Sequence, residues 1–212
     1  YVVGLLTELA SKYKNEVDGV GVAVPGIFDH DKGTIQLFPN LPGPWKDHEM
    51  LVPVQNATKK PTGLINDARA FSLAESIMGA ARGFETVACF VLGTGVGGGI
   101  VIDGKVVMGS TKGAGELAHQ VVNPEGPKCG CGARGCAEAM TSTKAICELA
   151  GTTTPEEAYK KAIAGDERAL RAFDEVAKWL GIAMYNVMAI VSPNIFVIGG
   201  GVAQAGDLLF GL

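Results

Sequence analysis

The residues best suited to chemistry lie in His119-x9-Cys129-Gly-Cys131-x4-Cys136-Ala-Glu138, one imidazole and three thiols in a polar, glycine-rich stretch. Imidazole and thiolate are the ligands zinc prefers, and four of them complete a tetrahedron. A site closed by four protein donors leaves no position for a substrate, so the pattern reads as structural zinc. Two other readings apply to such thiols. Free cysteines pack as small hydrophobes, but the run from Pro127 to Cys136 has a loop composition in which core thiols are not expected. Disulfides belong to oxidising compartments, whereas this chain has five cysteines, an odd count, and shows no signal peptide. Cys89 and Cys147 sit in apolar runs and read as core packing.

Acidic side chains surround this segment. Glu116 lies three residues before His119, so on a helical turn the two share a face. Glu138 follows Cys136 by two. A metal-bound imidazole needs a second partner for its other ring nitrogen, usually a carboxylate or carbonyl, and a ligand hydroxyl would also serve. Carboxylates bind sugar hydroxyls well through charge-assisted hydrogen bonds. Each glutamate taken singly is a solvated surface charge; Glu116, His119 and Glu138 around one metal favour a ligand site.

Three further places could carry chemistry. Asn66-Asp67 ends the apolar run Thr62-Gly-Leu-Ile65. Ligands of open α/β sheets bind at that edge, and an Asp there can take a hydroxyl proton. An Asp in the same place can equally be a helix N-cap. Gly93-Thr-Gly-Val-Gly-Gly-Gly99 could turn successive N–H groups toward a phosphate, or be a glycine-rich hairpin edge. It lacks the Lys-Ser/Thr of a Walker A loop. Gly199-Gly-Gly201 could admit a phosphate or a flat ring, or be a tight turn.

Alternating strands and helices must position these residues. Residues 1–14 read as an amphipathic helix, and Val17 to Val24 as a strand broken by Pro25-Gly26. Thr34 to Phe38 and Thr62 to Ile65 read as strands, and Ala68 to Ala80 as a helix. Val87 to Leu92 is a strand; Ile100–Ile102 and Lys105–Met108 flank Asp103-Gly104, the type I′ hairpin signal. Asp166 can cap a long helix with apolar Leu170, Phe173, Ala177, Leu180, Met184, Val187 and Val191, ended by Ser192-Pro193. Asn194 to Ile198 is a buried strand.

Composition narrows the partners. The 212 residues are 47% hydrophobic and 19% charged, as expected of a soluble globular protein. No apolar run reaches the roughly 18–20 residues that cross a bilayer. A net charge of −4 without a basic run makes nucleic acid a poor partner. Unpaired thiols and the lack of a leader point to the cytoplasm. The chain opens without Met and stops at Gly211-Leu212, which reads as a piece of a longer protein.

Together and in this order, the motifs resemble the ROK family (repressors, open reading frames and sugar kinases) from about Val20 to Gly206. Cys129-Gly-Cys-Gly-Ala-Arg-Gly-Cys136-Ala-Glu138 fits its signature Cys-x-Cys-Gly-x-x-Gly-Cys-x-Glu. Leu92-Gly-Thr-Gly-Val-Gly-Gly-Gly99 is similar to its second phosphate loop, and Gly199-Gly-Gly-Val202 to its adenosine loop. The resemblance implies an α/β, actin-like (ribonuclease-H-like) fold of two lobes, divided here as 1–66 and 67–212, with a zinc loop over 119–136. It implies an ATP-dependent hexose kinase of glucokinase type using Mg²⁺ with ATP, or a sugar-sensing repressor or N-acetylhexosamine or fructose kinase on the same frame. Asp67 would be the base, with Asn66 beside it. Glu116, His119, Glu138, Asn40 and Gly26 would face the sugar. Gly93, Thr94, Gly95, Gly97, Gly199, Gly200 and Gly201 would face ATP. His119, Cys129, Cys131 and Cys136 would hold Zn²⁺. By family habit the protein would be a homodimer or homotetramer. The chain departs from the family in two ways. Glu116-Leu-Ala118-His119 has Ala where the family has Gly, and the first phosphate loop, Asp-x-Gly-Gly-Thr, would lie upstream of residue 1.

Overall fold

The computed structural model describes residues 2–13, 16–38 and 42–211, with the side chains of Val2 and Val3 left aside. Asn40 therefore lies outside the described residues. The chain divides into two compact units, Tyr1–Ala70 and Phe71–Leu212.

The first unit contains α1 (Val2–Lys12), β1 (Val20–Val24), β2 (Ile27–Asp29), β3 (Thr34–Leu37), β4 (His48–Glu49), α2 (Leu51–Thr58) and β5 (Thr62–Asn66). β1 and β5 run parallel, with Val24 opposite Asn66, so both strands end at the same edge. β2, β3 and β4 form an antiparallel sheet. Val24, Phe28, Ile35 and Phe38 make the core here, with Trp45 and Met50 packed against it. The Trp45 ring lies 5.1 Å from Phe38 and 5.7 Å, edge-on, from His48. His30 stacks 4.3 Å from Phe28. His30 and His48 thus both serve aromatic packing.

Helix α3 (Asp67–Met78) begins in the first unit and continues into the second. The second unit is built on β6 (Thr86–Leu92), β7 (Val96–Ile102), β8 (Lys105–Val106) and β9 (Ile195–Gly199), in the order β8-β7-β6-β9. β6 pairs antiparallel with β7 and parallel with β9. The expected hairpin forms at Asp103-Gly104, whose φ values of 51° and 71° are those a type I′ turn needs. Four helices follow, α4 (Ala137–Thr141), α5 (Thr143–Ala150), α6 (Pro155–Ile163) and α7 (Glu167–Val191), and the chain closes with α8 (Asp207–Phe210).

Asp166 caps α7 as expected, accepting from the Ala169 N–H at 2.8 Å. The stripe that α7 buries is centred on Ala169, Ala172, Phe173, Val176, Leu180, Ala183 and Val187. Leu170, Ala177, Met184 and Val191, expected at its centre, line its margin. Small residues sit deepest because they let neighbouring helices approach closely. Cys89 is fully buried, but Cys147 is only half-buried. No described helix is long and apolar enough to cross a membrane.

Candidate active site

In the first unit the site residues gather at the shared end of β1 and β5. The Asn66 side-chain oxygen accepts from the backbone N–H groups of Ala68 at 3.0 Å and Arg69 at 3.2 Å, which is N-cap geometry. Its Nδ2 donates to the Gly26 carbonyl at 3.3 Å. Gly26 has a φ of 96°, a conformation that favours glycine. The capping role open to Asp67 thus falls mainly to Asn66. Asn66 caps α3, while Asp67 takes only a second share of the Ala68 N–H, at 2.9 Å, through one oxygen. Asp67 is exposed at the head of the helix. A carboxylate there can receive a proton from a bound hydroxyl.

In the second unit the four metal-type donors come together. Every ligand atom of His119, Cys129, Cys131 and Cys136 lies within 4.8 Å of the others. The Cys131 and Cys136 sulfurs are 3.6 Å apart, and Cys129 Sγ is 3.7 Å from His119 Nδ1. Zinc bonds of about 2.3 Å to sulfur and 2.0–2.1 Å to nitrogen put tetrahedral neighbours about 3.5–3.8 Å apart, so the donor set fits the ion. The backbone makes this knot. The Cys129 N–H donates to the Ala133 carbonyl at 2.8 Å and the Gly135 N–H to Pro127 at 2.8 Å. Gly135, at φ 64°, cannot carry a side chain, because a Cβ would collide with the Asn123 carbonyl. Burial pushes the Cys129 thiol up to about 12, so filling the knot must displace a proton held tightly there.

His119 closes a short 3-10 turn, Leu117–His119, in place of the α-helical turn the spacing suggested. Glu116 stands at its head, exposed, and its carbonyl accepts from the His119 N–H at 3.0 Å. Ala118 is buried in the core without a left-handed backbone, so its methyl is accommodated.

Both glycine segments lie at one sheet edge. β6 and β9 are parallel neighbours, with Val91 opposite Gly199, and each runs directly into glycines. The first turn is tighter than the glycine run: Gly93, Thr94 and Gly95 reverse the chain, while Val96 to Gly99 already belong to β7. Gly97 therefore sits in a strand, opposite Val91. A Cβ at Gly98 would lie 2.5 Å from the Cys89 carbonyl oxygen and 3.2 Å from Leu117. Gly200 has a φ of 90°, and a side chain there would strike the Leu92 carbonyl. Paired N–H-rich turns at the carboxyl ends of parallel strands suit a phosphate-bearing ligand.

Glu138 joins these two groups. Its Oε2 accepts from the Val96 N–H at 3.1 Å, and Oε1 accepts from the Cys129 thiol at 3.5 Å. The Thr143 N–H adds a bond of 2.9 Å to the Gly93 carbonyl. The Asn186 amide donates to Gln120 Oε1 at 3.2 Å, and Gln120 donates to the Leu117 carbonyl at 2.9 Å, which steadies the turn carrying His119. Thr143, Gln120 and Asn186 carry no sequence signal for these roles: one acts through its backbone, and the other two are far apart in the chain.

The sequence matches the model of the ROK family over residues 2–211. The chain belongs to the ROK family. A glucokinase of Thermotoga maritima is 38% identical over 217 residues, covering 92% of this chain and 68% of that protein. The crystal structure of the ROK hexokinase from Thermus thermophilus superposes with a TM-score of 0.89 at 33% identity, covering 99% of this chain and 74% of that one. A ROK-family glucokinase from Streptomyces griseus, in complex with glucose and AMPPNP, gives a TM-score of 0.78 at 28% identity, covering 97% and 74%. The architecture is thus the ROK sugar-kinase fold, of the actin-like ATPase kind.

Proposed function

We propose that this protein is an ATP-dependent hexose kinase of glucokinase type. The observation that carries this reading is Asp67: it heads α3 at the end of β5, exposed, while Asn66 does the capping. Asp67 accepts the proton of the sugar 6-hydroxyl as that oxygen attacks the γ-phosphorus, and ADP leaves with the bridging oxygen. Asn66 and Gly26 shape the sugar side around it. Glu116, His119 and Glu138 bind sugar hydroxyls, with Asn40 as a further sugar residue. The turns Gly93–Gly95 and Gly199–Gly201 receive the nucleotide. Mg²⁺ enters with ATP and neutralises the developing phosphate charge when bound. The rest of the acceleration comes from holding oxygen and phosphorus in line.

His119, Cys129, Cys131 and Cys136 hold a structural Zn²⁺, which orders the loop and supplies no step of the transfer. A sugar-sensing repressor would need the sugar-facing residues but neither an uncommitted Asp67 nor two adjacent nucleotide turns; their presence favours the kinase.

The test is ADP release with Mg-ATP across hexoses and N-acetylhexosamines, with Asp67→Asn as control. Turnover on glucose that vanishes in the variant is the expected result. No turnover on any sugar by folded, zinc-loaded protein would overturn the kinase reading.

A further inference from the structure

Glu138 occupies a position that sugar binding alone does not require. It is the second residue of α4, whose N-cap is Cys136, the last donor of the knot. Its carboxylate spans from the knot to the glycine turn. Oε1 faces Cys129 Sγ at 3.5 Å, and Oε2 accepts from the Val96 N–H at 3.1 Å. Val96 is the residue at which the Gly93–Gly95 turn becomes strand β7. Gly95 is pressed against the same oxygen, since a Cβ there would lie 2.9 Å from Oε2. The turn is also held by the Gly93 N–H to the Gly95 carbonyl at 2.9 Å, by the Thr143 N–H to the Gly93 carbonyl at 2.9 Å, and by the pairing of Leu92 with Val96.

We propose that Glu138 is a positioning residue that ties the metal knot to the nucleotide-binding turn, so that a filled knot holds Gly93–Gly95 in shape for ATP. The proposal rests on the kinase reading of that turn. The lasting link is covalent. Metal binding removes the Cys129 proton, and with it the S–H donor to Oε1. Cys136, however, fixes the start of α4, and α4 fixes Glu138 under the Val96 N–H. A charge-assisted bond from a carboxylate to a backbone N–H is among the stronger hydrogen bonds, and here it fixes the point where the turn enters β7.

The experiment measures AMPPNP affinity without sugar, together with amide hydrogen exchange at Val96, in the full chain loaded with zinc. Glu138→Ala is expected to weaken AMPPNP by about tenfold and to expose the Val96 amide to exchange. Glu138→Gln keeps an oxygen for the Val96 N–H but loses its charge, and is expected to fall between the unsubstituted protein and Glu138→Ala in both readings. Chelation of the metal is expected to deprotect Val96 as Glu138→Ala does. Should Glu138→Ala fail to fold, Gly95→Ala probes the contact from the other side, because its methyl displaces Oε2. Its loss of nucleotide affinity should combine less than additively with that of Glu138→Gln, because both act on one contact, and strictly additive losses would overturn the link. Unchanged AMPPNP affinity and Val96 exchange in Glu138→Ala, with sugar affinity lost, would overturn the proposal and leave Glu138 as a sugar residue only. Absence of AMPPNP binding in the unsubstituted protein, with Val96 exchange still governed by Glu138, would overturn the kinase reading while the link stands.

Discussion

Asp67 and Asn66 are neighbours with separate tasks, and substitution should separate them. Asp67→Asn is expected to lower kcat by about two to four orders of magnitude, the range of a lost general base, with the circular dichroism spectrum and melting temperature unchanged. Asn66→Ala should instead cost about 1 kcal/mol of stability in urea, because the Ala68 and Arg69 N–H groups lose their cap. Residue types made this pair visible in the sequence, but position alone could not assign base and cap. Which oxygen meets which N–H gives the cap to Asn66, and the base role of Asp67 is the proposal built on it. The knot was legible for a different reason. Sulfur and imidazole have few uses in a glycine-rich loop, so His119, Cys129, Cys131 and Cys136 announce one another. Glu138 was visible as an acid but not as a bridge, because its partner is the backbone of Val96, and any residue type provides that N–H.

At the scale of elements, the two glycine turns and helix α7 carry the expectations. Gly200→Ala should destabilise the second unit by about 1–3 kcal/mol, since φ is 90° and the methyl meets the Leu92 carbonyl; thermal melting would register it, and AMPPNP affinity should fall alongside. Asp166→Ala should cost about 1 kcal/mol through the lost bond to the Ala169 N–H, without affecting turnover. Strong local signals placed elements well. Asp103-Gly104 gave its hairpin, and Asp166 and Ser192-Pro193 bounded α7. The glycine run 93–99 was harder, because glycine marks both a turn and a close approach. Gly95 serves both, lying in the turn and against Glu138, and Gly98 serves the second, against the Cys89 carbonyl and Leu117. Of the expected α7 stripe Phe173, Leu180 and Val187 are buried, and Ala169, Ala172, Val176 and Ala183 join them, because close helix packing also buries small residues that bulk alone does not mark.

At the scale of the molecule, each compact unit has its own core, one on Val24, Phe28, Ile35 and Phe38, the other on the four-stranded sheet and its helices. Removing the metal should act on the second, where all four donors lie. Zinc chelation is expected to lower the apparent melting temperature, and restoring zinc to recover it, because binding to the folded state alone stabilises it. The placement of the only two tryptophans makes this visible. Trp45 belongs to the first unit and packs, tilted, on Phe38 and edge-on against His48, whereas Trp179 belongs to the second and lies under Lys178 at 4.6 Å. Each half of the chain therefore carries its own fluorophore, and Trp45→Phe or Trp179→Phe leaves one lamp lit at a time. An emission spectrum taken while the metal is withdrawn would tell by colour which half has let in water.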